Sequence, residues 1–248
     1  MPSSDQQAAL TLSLEQLTGL SDSHLIMVAD SSLQAPVAAA FIQMQQAAAK
    51  DGIELAIASG FRSYQRQANI WQRKWQGQLT VNNAAGKAID VSRLSDGEKL
   101  AAILHWSALP GASRHHWGTD LDVYDARPFN NGERQLQLQV SEYQDEQGPC
   151  YRLYCWLRQH AADYGFFFPY AEFRGGVAAE PWHLSYAPLA KHYLPALSVD
   201  ALTRVLQQHP IAGVDFIIPQ LASIYEQYIS NICEEDAWTA TWSGLSSY

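Results

Sequence analysis

Apolar residues recur at helical spacing from Leu33 to Lys50, where Val37, Ala40, Phe41, Met44 and Ala48 share a face and Asp51-Gly52 ends the run. The period then drops to two. Ile53, Leu55 and Ile57 alternate with Glu54, Ala56 and Ala58, which predicts a short half-buried strand. That strand runs straight into Ser59-Gly60-Phe61-Arg62, and Ser63 is placed to cap a helix from Tyr64 to Trp75 that stops near Gly77. Ser95-Asp96-Gly97-Glu98 is a capping box whose helix is expected to reach Trp106.

Leu109-Pro110-Gly111 breaks the chain, and Thr119 to Tyr124 alternates again, with Leu121 and Val123 on one face and Asp120 and Asp122 on the other. Pro128 to Pro149 is polar and turn-rich and reads as a long surface loop. Tyr151 to Tyr164 reads as a helix, followed by Gly165 and an apolar strand, Phe166-Phe167-Phe168. Arg174-Gly175-Gly176 predicts a tight turn leading to a strand around Trp182 to Tyr186. Pro188 to Ile232 reads as two or three helices with Ser198 as an N-cap. Within it Ile217, Ile218, Leu221, Ile224, Tyr225 and Ile229 are expected to pack back on the rest. Glu234 to Tyr248 carries little pattern and reads as a loose tail. Helices mixed with short strands favour an α+β fold over a doubly wound sheet.

At 248 residues, with 47% apolar and 17% charged residues, the chain is long enough for one large domain or for a domain with a helical appendage. The expected division is a domain over residues 1–190, its core at 33–186, with residues 191–248 as a helical extension packed on it. A net charge of -9 argues against nucleic acid as a partner, because phosphate binding needs a basic surface. No run approaches the length of about 18 apolar residues that spans a bilayer. Met1 to Leu20 has no Lys or Arg and no apolar core, so no secretory signal is read there. The expectation is a cytoplasmic protein, with a periplasmic or signal-independent exported location as the alternative. Nothing in the sequence indicates an oligomer. Cys150, Cys155 and Cys233 lack zinc-finger spacing and are expected to be buried or inert thiols. Trp71, Trp75, Trp106 and Trp156 are expected in helix packing, and Trp117 and Trp182 in the walls of a cleft, because each neighbours a candidate metal ligand.

The chemistry-bearing residues fall in three stretches: Ser59 to Tyr64, Ser113 to Asp122, and Glu180 to His183. Two imidazoles and a carboxylate can hold a divalent metal with a position left for water. A further carboxylate can accept that water's proton, and an arginine can bind an anionic group or a developing oxyanion. His115 and Asp122 stand seven residues apart with Gly118 between them, which suits a turn delivering the imidazole and a strand delivering the carboxylate. Asp120 shares the Asp122 face and is a candidate for orienting a ligating imidazole. His116 is the alternative ligand, its side chain expected to point away from that of His115. Glu180 precedes Pro181, so a helical His-Glu-x-x-His arrangement is excluded, and a bend must bring Glu180 and His183 to one side.

These stretches resemble the zinc D-alanyl-D-alanine carboxypeptidases of the VanY type, within the wider group of D-Ala-D-Ala dipeptidases, Hedgehog and lysostaphin-like peptidases. The family patterns are Ser-Gly-Tyr-Arg-Ser, Ser-x-His-x-x-Gly-x-Ala-x-Asp and Glu-x-Trp-His-x-Arg-Tyr. They stand here as Ser59 to Ser63, Ser113 to Asp122 and Glu180 to Tyr186. The resemblance implies a small, mainly antiparallel sheet carrying one Zn2+ per chain on His115, Asp122 and His183. It implies Glu180 as catalytic base, Arg62 as a catalytic and substrate-binding residue, and Gln67, Ser113 and Trp182 around the substrate. The implied partner is a peptidoglycan stem peptide or muropeptide, with removal of a terminal D-alanine as the reaction. Alternatives are an L,D-carboxypeptidase, a stem-peptide endopeptidase, or a non-catalytic zinc-stabilised binding module. Phe61, Asp120 and Ser185 depart from the family, replacing a tyrosine, a small apolar residue and an arginine.

Overall fold

A four-stranded antiparallel sheet carries the three motif stretches in the computed structural model, which describes residues 10–28 and 30–234. Apart from Glu234 itself, the expected loose tail lies outside the described residues. Eight strands are described: β1 (Ile26–Val28), β2 (Ser31–Leu33), β3 (Leu55–Ser59), β4 (Val81–Asn82), β5 (Ala88–Ile89), β6 (Asp120–Asp125), β7 (Phe166–Phe167) and β8 (His183–Tyr186). The sheet runs β3-β6-β8-β7, while β1-β2 and β4-β5 are separate hairpins. Its register sets the site. Asp122 lies opposite Ser59 on one side and opposite His183 on the other, and Asp120 lies opposite Ser185.

The helices flank this sheet, so the α+β expectation holds. Pro36 opens the helix Ala35–Lys50, which buries Val37, Ala38, Phe41, Met44 and Ala48. It starts two residues later than expected because Leu33 belongs to β2. The helix Tyr64–Trp75 has the expected limits, and Ser63 Oγ accepts from the Arg66 amide. The capping box at Ser95 opens Asp96–Leu104, two residues short of Trp106.

The segment expected to be a surface loop, 128–149, contains the helix Val140–Gln144. Tyr143 is fully buried there, its hydroxyl donates to the Val123 carbonyl at 2.8 Å, and it packs with Cys150 and Trp182. Five residues are too few for a 3.6-residue period to register in the sequence, which is why the polar composition misled.

Beyond the sheet come Ala187–Ala196, Val199–Gln208, Val214–Ile217 and Leu221–Ile224, the last running into a π-helical turn, Tyr225–Ile229. Ile217, Leu221, Ile224 and Ile229 are buried in the same apolar cluster as Leu121 and Val123 of β6, whereas Ile218 and Tyr225 are only partly buried. No helix of the described residues is long and apolar enough to cross a membrane. Cys150 and Cys233 are buried, Cys155 is half-buried, and all three are free thiols.

Candidate active site

The middle motif folds as a one-turn 3-10 helix, Arg114–Trp117, closed by Gly118 in the left-handed region at φ 68°. At this left-handed φ an L side chain is strained, and a Cβ at Gly118 would also run into Leu25 Cδ2, so glycine suits the turn into β6. This turn sends His115 toward Asp122. The His115 Nδ1–H donates to the Gly60 carbonyl at 2.9 Å, which leaves the Nε2 lone pair facing Asp122 Oδ2 at 3.4 Å. His183 is fixed in the opposite sense. Its Nε2–H donates to Asp120 Oδ1 at 3.0 Å, leaving Nδ1 3.3 Å from Asp122 Oδ1.

Glu180 and His183 meet through a turn in which the His183 amide donates to the Glu180 carbonyl at 3.1 Å. The bend at Pro181 thereby brings Glu180 Oε2 to 3.2 Å from His183 Nδ1. His116 points the other way. The Gly111 amide donates to its Nε2 at 3.1 Å, and its Nδ1–H donates to the Arg62 carbonyl. Burial drives its pKa down to about 3, so His116 is a neutral strut between two loops.

His115, Asp122 and His183 each offer a ligand atom within 4.8 Å of the others, and all three are buried. The donors fit a divalent metal. Asp122 Oδ1 is buried and accepts no hydrogen bond, a costly state for a carboxylate oxygen unless a cation sits against it. Burial alone would raise the Asp122 carboxyl, but the imidazoles of His115 and His183 beside it hold it far below the usual range. Burial would likewise lower His183, and this is outweighed by Asp120, Asp122 and Glu180, which lift it well above its ordinary value. Two carboxylates, Asp122 and Glu180, face His183 Nδ1 and favour positive charge at that point, and a metal ion is the stronger form of it.

Arg62 lies beside these ligands. Its Nη1 donates to Gln67 Oε1 at 2.9 Å and its Nη2 to Ser59 Oγ at 3.2 Å, with Asp122 Oδ2 at 3.9 Å. Gln67 is fully buried, its amide donates to the Ala108 carbonyl at 2.6 Å, and it does not reach the cleft. In place of the substrate contact expected of it, Gln67 holds the arginine. Ser113 and Trp182 both line the cleft. Trp117 does not: it is fully buried, packs on Tyr193, and its indole N–H donates to the Leu17 carbonyl at 3.1 Å. Trp106, expected in helix packing, lines the cleft instead.

The cleft holds about 300 Å3 and has walls that motif reading did not find. Lys74, Tyr170, Tyr228 and Ile229 contribute to it, together with Leu138, a non-glycine residue at φ 52°. Burial pushes the Tyr170 hydroxyl up to about 12, so it stays a neutral hydrogen-bonding group. Tyr228 and Ile229 come from the terminal π-turn. Gln227 Nε2 donates to the Gly175 carbonyl at 2.7 Å and Asn231 Nδ2 to the Arg174 carbonyl at 2.8 Å, fastening that turn to the loop that bears Tyr170.

Arg114 is also a cleft residue, and it was visible in the sequence only as the neighbour of His115. Its Nε donates to Asp120 Oδ1 at 2.7 Å and its Nη2 to Ser185 Oγ at 2.6 Å. Asp120 Oδ2 accepts from Thr119 Oγ1 at 2.6 Å and from Ser185 Oγ at 3.0 Å. Burial would raise the Asp120 carboxyl, yet Arg114, His183 and Thr119 together hold it far below the usual range. The negative charge added at Asp120 is therefore balanced by a guanidinium that reaches the position of Ser185 from another loop.

Residues 30–189 match the family profile of VanY, D-alanyl-D-alanine carboxypeptidase. An uncharacterized protein of Haemophilus influenzae is 43% identical over 105 residues, covering 40% of this chain and 72% of its own. The putative carboxypeptidase YodJ of Bacillus subtilis is 29% identical over 146 residues, 58% of this chain and 42% of its own. Among solved structures, VanYB in complex with D-alanine-D-alanine aligns with a TM-score of 0.48 at 21% identity, over 73% of this chain and 87% of that one.

Proposed function

The chain belongs to the VanY family of D-alanyl-D-alanine carboxypeptidases, and from that premise we propose that it is a zinc-dependent peptidase removing a C-terminal D-alanine from peptidoglycan stem peptides or their precursors. The observation that carries the reading is the buried group of His115, Asp122 and His183 with Glu180 Oε2 at 3.2 Å from His183 Nδ1. A zinc ion on those three side chains would polarise a peptide carbonyl and lower the pKa of water to about 7. Glu180 accepts a proton from the attacking water and returns it to the departing amine nitrogen as the C–N bond breaks. Arg62, held rigidly by Gln67 and Ser59, offers positive charge to the carbonyl oxygen as that oxygen becomes anionic. Asp120 and the Gly60 carbonyl fix the two imidazole tautomers, so the lone pairs of both rings face the same point.

A purely structural metal site has no use for a partly exposed carboxylate beside its three ligands, and Glu180 therefore supports an enzyme over a binding module. The test is mass spectrometry of a soluble pentapeptide precursor, a tetrapeptide and purified muropeptides after incubation with the zinc-loaded chain. Loss of one alanine mass from the pentapeptide, abolished by a chelator, is expected. Loss only from the tetrapeptide would reassign it as an L,D-carboxypeptidase, internal cleavage would make it an endopeptidase, and bound zinc without any cleavage would favour the binding module.

A further inference from the structure

A carboxypeptidase must recognise a free carboxylate at the end of its substrate, and two cationic side chains are available to do so. Arg62 is committed on the metal side, pinned by Gln67 and Ser59 with its Nη2 3.9 Å from the ligand Asp122. Lys74, near the end of the helix Tyr64–Trp75, enters the same cleft by another wall. Its ammonium donates to Ser107 Oγ at 2.5 Å, and Ser107 also lines the cleft. Among the described residues no carboxylate lies within ion-pair distance of Lys74. An ammonium has three donors, so holding Ser107 leaves two for a ligand. Arg114 differs from Lys74 in this respect, because Asp120 already neutralises it.

On the proposed reading of the site as a carboxypeptidase, we infer that Lys74, steadied by Ser107, is the specificity-determining residue that binds the substrate's terminal carboxylate. Arg62 is thereby left to the carbonyl under attack. The electrostatics agree with the geometry. Burial and the nearby charge of Arg62 lower the Lys74 pKa from its ordinary value, against an opposing pull from Glu180. Two cations facing one cleft repel each other, and an anion bound there relieves that repulsion. The Arg114 guanidinium reaches Ser185 and is paired with Asp120, so it is not free for this contact.

The experiment crosses enzyme and substrate. The full zinc-loaded chain and its Lys74→Met variant are each assayed on a stem pentapeptide with a free C-terminus and on the same peptide as its C-terminal amide. A lost charge-assisted hydrogen bond to a carboxylate corresponds to about 10- to 100-fold in kcat/KM. The wild-type chain is expected to prefer the free acid by at least that factor. Lys74→Met should lose the preference through a higher KM for the acid, with amide turnover within about threefold of wild type. Ser107→Ala, a milder change, should narrow the preference several-fold. Equal wild-type turnover of acid and amide would overturn the assignment, as would a Lys74→Met enzyme that still favours the acid or has lost both substrates while holding zinc. No wild-type turnover of either peptide would instead remove the carboxypeptidase reading on which the assignment rests.

Discussion

Arg114 and Asp120 face each other inside the protein, Nε to Oδ1 at 2.7 Å, with neither side chain more than 3% exposed. The pair stands behind a candidate metal ligand, His183, whose Nε2–H donates to the same Asp120 oxygen. Removing one member leaves the other as a lone buried charge, which costs about 3–5 kcal/mol. Asp120→Ala alone should lower stability by that amount in denaturant unfolding. The double variant Asp120→Ala/Arg114→Met should recover most of it, because both charges leave together. Zinc affinity, read by chelator competition, should fall about 10- to 100-fold in Asp120→Ala, since His183 loses its orienting partner. Additive losses in the double variant would show that the two residues act independently.

Glu180→Gln should keep the metal and lose the reaction. The amide preserves shape but cannot take a proton, and general-base catalysis is worth about 100- to 10,000-fold. Metal content by mass spectrometry should match wild type while kcat falls by that factor. Activity within tenfold of wild type would show that another group carries the proton.

Metal should also be a folding ligand. A cation bound only by the native state stabilises by about 2.7 kcal/mol when its free concentration is a hundred times Kd. Thermal unfolding with and without zinc should show this shift in the wild-type chain. His115→Ala and Asp122→Ala should abolish it, whatever their own melting temperatures.

The pH dependence of stability has an identifiable contributor in His116. Its pKa is about 3 in the folded protein and about 6.5 when unfolded, so below pH 6.5 only the unfolded state takes up the proton. Stability from this group is complete above pH 6.5 and declines as pH falls toward 3, by at most about 1.4 kcal/mol per unit. His116→Leu should be less stable at pH 7 yet show a shallower decline between pH 6.5 and 4. Parallel slopes for the two proteins would assign the dependence to other groups.

Much of this arrangement was legible because it is local. Ser63 and Ser95 announced their helices, and the alternation around Leu121 and Val123 separated the core face of β6 from its polar face. Residues whose roles depend on distant partners were not legible. Gln67 looked like a substrate contact until Arg62 and the Ala108 carbonyl were seen to use both ends of its amide. The partner of Asp120, Arg114, is six residues away and meets it only through the turn at Gly118, so the pair carried no signal in the sequence. Trp117 and Trp106 exchanged their expected places because adjacency along the chain does not decide which face of a turn a ring takes. Tyr228 and Ile229 carried no motif at all.

The fastening of the terminal π-turn to the loop of Tyr170 has an architectural meaning. Residues 30–189 hold the reactive groups, but the vessel in which they would work is finished by side chains some forty positions further on. Hydrolases that share one reactive centre can thus be retuned by editing an appendage, where sequence change leaves the demanding geometry of the ligands untouched. In this chain the cleft is closed only when stretches far apart in the polypeptide meet in the fold.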